Sequence, residues 1–126
     1  MSTNFSEEQE QAVWNKASIP IEDEKDNWRK DCCGAWIKRS AYGDRDDEYG
    51  WEIDHAYPAS KTEINEMFNL RAMNWKNNKS KDDDYPSYTA DVTSDGDKNI
   101  EKKKSWTVNK TIQSKVAAYL AKMTKI

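Results

Sequence analysis

The chain contains one histidine, His55, and it directly follows Asp54. Asn69 and Asn78 come 14 and 23 residues after it. An imidazole titrates near neutrality, so a neutral His55 can take a proton from water as a general base. A hard cation such as Mg²⁺ prefers oxygen ligands, keeps several waters and often uses only one or two protein side chains. The Asp54 carboxylate and the Asn78 amide oxygen supply such a pair. A base beside a hard cation is what hydrolysis of a phosphodiester requires. Water must be activated, charge on the phosphate and leaving oxygen must be met, and the groups must be aligned.

The residues around this set say what must position it. Trp51 to Ala56 alternates bulky apolar with polar residues, the pattern of a half-buried strand. Successive strand residues face opposite ways, so Asp54 and His55 share a site only if the strand ends or bulges between them. Pro58 ends it shortly afterwards. Residues 59–67 read as a polar connection with a short helical turn over 62–67. Residues 69–73 return as a second short strand, and 74–81 suit a helix that carries Asn78. The order is strand, loop, strand, helix.

That order resembles the HNH nuclease family and its ββα-metal motif. The residues that carry the resemblance are the Asp54-His55 pair, the Asn69-Leu70 step before the helix, and Asn78-Lys79-Ser80-Lys81 as an Asn-x-x-Lys signature. This is the HNN form, with asparagine where the family name has its last histidine. The spacings resemble those in the HNH domain of RNA-guided CRISPR nucleases. Upstream, GAWIKRSAYG and YGWEIDH are similar to small bacterial HNH endonucleases.

The resemblance implies a ββα-metal core, and with the patterns read along the chain below the fold is α+β: that core with an N-terminal helix, an extra C-terminal β-hairpin and a C-terminal helix. It makes His55 the general base and Asp54 and Asn78 the ligands of one Mg²⁺, with Mn²⁺ or another divalent ion as a substitute. Asn69 would hold the loop so that His55 aims at the water. The Asn-x-x-Lys spacing selects Asn78 over its neighbour Asn77. Lys81 would bond either the turn of Asn78 or a phosphate. Arg71 and Lys79 are further candidates for phosphate contact, and Arg39, Arg45 and Lys38, close in sequence to the site, are candidates for contacts with the nucleic-acid backbone. The implied activity is endonucleolytic cleavage of DNA, leaving a 5′-phosphate and a 3′-hydroxyl.

A chain of 126 residues makes one domain with a modest core. Hydrophobic residues are 36% and charged residues 34%, so the core leans on aromatics, for which six tryptophans and six tyrosines provide bulk. Trp36, Trp51 and Trp75 lie beside the site elements and read as core before they read as base-stacking platforms. The only cysteines are adjacent, Cys32 and Cys33. Neighbours bridge poorly and two thiols do not complete a four-ligand zinc site. Many HNH proteins carry two Cys-x-x-Cys pairs around a structural zinc, so no such zinc is expected and packing must hold the motif. Free thiols, no long apolar run and no signal-like start point to the cytoplasm.

The net charge is −3, but it is unevenly spread. Residues 98–126 hold eight lysines against one glutamate. That basic end is either a solvated face or a local grip on phosphates.

Along the chain, Ser6-Glu7-Glu8-Gln9 is a capping box that starts a helix to about Lys16, stopped at Ile19-Pro20-Ile21. Residues 22–26 form an acidic loop, 27–33 a connection, 35–39 a strand, and 42–50 an acidic surface loop. Asp82-Asp83-Asp84 ends the motif helix. Residues 88–93 and 104–108 read as a hairpin about an Asp-Gly turn at 94–97. Ile112, Val116, Tyr119, Leu120 and Met123 mark an amphipathic helix that packs over a sheet. No repeat or second domain is evident. The chain is short for an added recognition element, which favours low sequence specificity. Two other readings stand beside the enzyme: a nucleic-acid-binding module without turnover, and a toxin or defence nuclease held by an inhibitor protein.

Overall fold

The computed structural model describes residues 4–124. It is a mixed α+β arrangement of three helices and three two-stranded antiparallel sheets among those residues. Helix α1 covers Glu7–Trp14 and opens with the capping box. Ser6 Oγ accepts from the Gln9 amide at 3.1 Å, and Gln9 accepts in return from the Ser6 amide at 2.9 Å. Strands β1 (Trp28–Lys30) and β2 (Trp36–Lys38) pair as a short hairpin. The segment 27–33 is therefore not a plain connection: its middle is a strand, because Trp28, Arg29 and Lys30 find partners on β2.

Strands β3 (Trp51–His55) and β4 (Leu70–Asn74) pair in unbroken register, with Asp54 opposite Arg71 and His55 opposite Leu70. Gly50 admits the tight turn into β3, since a Cβ there would sit 1.9 Å from the Asp44 carbonyl oxygen. The expected helical turn over 62–67 is displaced to a 3₁₀ turn at Met67–Asn69. Helix α2 (Trp75–Lys81) begins directly after β4, capped by the Asn74 side chain on the Lys76 amide at 2.9 Å.

The second hairpin is longer than its sequence pattern suggested. Strand β5 covers Ser87–Asp95 and β6 covers Lys98–Thr107, joined at Gly96-Asp97 with Gly96 at φ +63°. Pairing with β5 draws the lysine run 102–104 into a strand that has no hydrophobic pattern of its own. Helix α3 (Lys110–Met123) carries the expected apolar stripe, and its Ile112 packs against the cluster that holds Tyr88 and Ala90 of β5. Its main packing is against the 3₁₀ turn, where the Tyr119 and Phe68 rings meet edge-on at 6.4 Å between centroids, and it fully buries only Val116.

Two apolar clusters flank the β3–β4 pair. One joins Val13 and Trp14 of α1 to Trp51, Ile53, Leu70 and Ala72. The other joins Cys33, Ala56 and Met73 to Tyr88, Ala90 and Val108. Trp51 and Trp14 are wholly buried, and Trp36 nearly so, which assigns them to packing.

Candidate active site

His55 is the last residue of β3, so although strand alternation turns it away from Asp54, both line one cleft of about 350 Å³. Asn78 and Lys79 of α2 line the same cleft, together with Arg45, Pro58, Asp82 and Asp83. Asn78 and Asn77 are neighbours on α2 with opposite fates. Asn77 is fully buried away from the cleft, while Asn78 is half-buried at its wall.

The imidazole is oriented from behind. His55 Nε2 lies 2.7 Å from Asn65 Oδ1, and Asn65 Nδ2 donates to Glu63 at 3.1 Å. The second bond turns the amide so that its oxygen faces the ring. An amide oxygen only accepts, so Nε2 is the donor, and in the neutral ring the lone pair lies on Nδ1. Asn69 is buried and ties together the loop after His55. Its Oδ1 accepts from the Tyr57 amide at 2.7 Å, and its Nδ2 donates to the carbonyls of Tyr57 at 3.2 Å and Ile64 at 3.0 Å.

Asp54 is nearly inaccessible, at 4% exposure, and each of its oxygens has a cationic partner. Arg71 donates to Oδ2 at 2.9 Å through Nη2 and at 3.3 Å through Nε. Lys81 Nζ is 3.3 Å from Oδ1 and donates to the His55 carbonyl at 3.2 Å. Lys81, expected on either the turn of Asn78 or a phosphate, and Arg71, expected on phosphate, are both placed against Asp54. Lys81 is wholly buried, and its ammonium fixes the backbone and carboxylate of the Asp-His pair instead. Arg71 is held beneath the same carboxylate. Arg39 lies elsewhere, clamped to Glu10 at 2.7 Å and Gln11 at 2.9 Å in a separate cleft against α1. Of the four proposed contacts, Lys79 alone is exposed at the cleft wall.

Glu52 has no place in the motif yet is built into the site. It stands two residues before Asp54 on β3 and so shares its face. Its carboxylate accepts from Arg45 at 2.7 and 2.9 Å and from Asn78 Nδ2 at 2.9 Å. Partial burial pushes the Glu52 carboxyl up, but the Arg45 hydrogen bond, the Asn78 amide and the Arg45 charge together hold it below the ordinary carboxylate range. The strand alternation that marked Asp54 also marked Glu52; what it lacked was a partner visible in sequence.

Does the donor set suit a divalent ion? Among the described residues no group of three or more His, Cys, Asp or Glu side chains stands ready to hold one. The oxygens of Asp54 and Asn78 are hard; Asp54 Oδ2 takes both Arg71 donors, whereas Oδ1, approached by Lys81 alone, keeps lone-pair capacity. Asn78 is tethered through its nitrogen, leaving its oxygen as the acceptor. The donor set is thus two hard oxygens of the kind Mg²⁺ accepts, with Arg71 and Lys81 as competing positive charge.

A second polar cluster lies on the other side of α2. Asp31 is buried, and its oxygens accept from the amides of Cys33, Ala35 and Asn74, each at 2.9 Å, and from Asn77 Nδ2 at 3.1 Å. Burial pushes its carboxyl up, and these four donors pull it part of the way back. Gly34, at φ +85°, lets the loop close around it; a Cβ there would come within 2.9 Å of Thr93 Oγ1.

Comparison of the chain with family models, curated proteins and solved structures gave no match.

Proposed function

We propose that the cleft belongs to a metal-dependent endonuclease of the HNH type that hydrolyses DNA, with β3, β4 and α2 acting as its ββα-metal unit. One observation supports this reading most: His55, Asp54 and Asn78, from a strand end, a strand and a helix, line a single cleft. His55 Nδ1 takes the proton of the attacking water. Asn65 holds the opposite ring nitrogen, and Asn69 fixes the loop behind it. A divalent ion held by Asp54 and Asn78 would supply positive charge to the scissile phosphate and departing oxygen. Lys81 and Arg71 hold Asp54 in place, and Lys79 offers an exposed ammonium to the backbone.

The test is digestion of supercoiled plasmid, linear duplex, single strand and RNA with Mg²⁺ and with chelator. Cleavage of DNA that stops on chelation and returns with Mg²⁺ or Mn²⁺ is expected. Cleavage that persists after thorough chelation ends the metal mechanism.

A second reading, a nucleic-acid-binding module without turnover, is favoured by the two cations already on Asp54. It predicts a gel shift in chelator and no nicking with any divalent ion.

A further inference from the structure

We infer that Glu52 is the positioning residue of the cleft, setting both the Asn78 amide and the Arg45 guanidinium, and that Arg45 is a phosphate contact. The inference rests on the endonuclease reading and assigns it two residues outside the motif.

Glu52 makes three polar contacts with two elements. Its Oε1 accepts from Asn78 Nδ2 at 2.9 Å and from Arg45 Nη2 at 2.9 Å, while Oε2 accepts from Arg45 Nε at 2.7 Å. The contact with Asn78 chooses between the two orientations of that amide. A carboxylate accepts only, so it selects the nitrogen and turns the oxygen away from itself. An Asn78 free to flip would offer a cation its NH₂ group half of the time.

The same carboxylate aligns Arg45. A guanidinium has five N–H donors in a flat fork, and Glu52 engages only the edge formed by Nε and Nη2. Nη1 and the outer hydrogen of Nη2 remain. The side chain is 51% exposed and lines the cleft, and its plane is backed by the Trp75 ring at 5.8 Å. A fork pinned along one edge and presented along another suits a phosphate with two oxygens facing it. Neither Lys81 nor Arg71, both occupied by Asp54, can do this.

The experiment uses the full chain and two variants, Glu52→Gln and Arg45→Met, each checked for folding by circular dichroism. Mn²⁺ binding is read by electron paramagnetic resonance without nucleic acid. Duplex binding is read by fluorescence anisotropy in chelator across a salt series. Glu52→Gln should weaken Mn²⁺ binding about 10-fold, because its amide can accept either face of Asn78. Glu52→Asp, which keeps the charge, should recover part of that loss. Arg45→Met should lower duplex affinity and reduce the salt slope by about one. Unaltered Mn²⁺ affinity in Glu52→Gln, or an unaltered salt slope in Arg45→Met, overturns the corresponding assignment. A wild-type chain that binds neither Mn²⁺ nor duplex fails at the endonuclease reading itself and takes this inference with it.

Discussion

Helix α2 separates two clusters made of the same residue types. On one side Asp31 meets Asn74 and Asn77; on the other Asp54 stands near Asn78. The Asp31 cluster is closed. Four N–H donors converge on its carboxylate, and Asn77 spends its remaining capacity on β5, accepting from the Asp91 and Val92 amides at 2.9 and 2.8 Å and donating to the Val92 carbonyl at 2.9 Å. Nothing in it is left for a ligand. The Asp54 cluster is open: its anion is balanced by side-chain cations, its amide is tethered by one end, and a cleft reaches it. An aspartate among asparagines is a structural clamp when N–H groups saturate it, and a candidate reactive site when they do not.

The Asp31 clamp links the 31–35 loop, the start of α2 and, through Asn77, strand β5. Breaking it should give the largest effect. Asp31→Ala orphans four buried donors and should cost about 4–5 kcal/mol of stability by chemical denaturation. A loss below about 1 kcal/mol would remove the contrast between the two clusters.

His55→Ala should do the opposite. It should lower the cleavage rate about 10³-fold, worth about 4 kcal/mol of barrier, while shifting stability little. Near-normal cleavage by the pure variant would reject the catalytic assignment.

The sharpest comparison is between neighbours. Asn77→Ala should destabilise the fold by about 2–3 kcal/mol, since it leaves buried groups on β5 and Asp31 unpaired. Asn78→Ala should leave the melting temperature almost unchanged and raise the Mg²⁺ concentration needed for cleavage. If both variants lose stability equally, α2 does not divide the two roles.

The smallest effect is expected from Arg39→Ala. With its guanidinium on Glu10 and Gln11, it should cost about 1 kcal/mol of stability and leave nucleic-acid affinity where it was. A marked loss of affinity would restore Arg39 to the substrate side.

Much of the local structure was legible before any coordinates. The capping box at Ser6, the alternation from Trp51 to Ile53, and the Asp-Gly turn at Gly96 are short-range signals, and each element formed within a few residues of its expected position. The intervals from His55 to Asn69 and Asn78 singled out residues that do surround one loop and one cleft. β1 and most of β6 were not legible, because neither has apolar periodicity and each becomes a strand only by pairing.

For the cleft, sequence determined which side chains were chemically able to act, since a lone imidazole, a carboxylate and an amide keep those capacities in any fold. Tertiary structure decided which of them had capacity to spare. Lys81 and Arg71 are cations in the sequence, but burial against Asp54 commits their charge; Glu52 and Arg45 carry no motif, but packing sets Arg45 at the wall with Glu52 holding it. A charge or hydrogen-bonding group acts on a ligand only if its own neighbours have not already satisfied it, and those neighbours are brought together by long-range contacts that residue spacing does not encode.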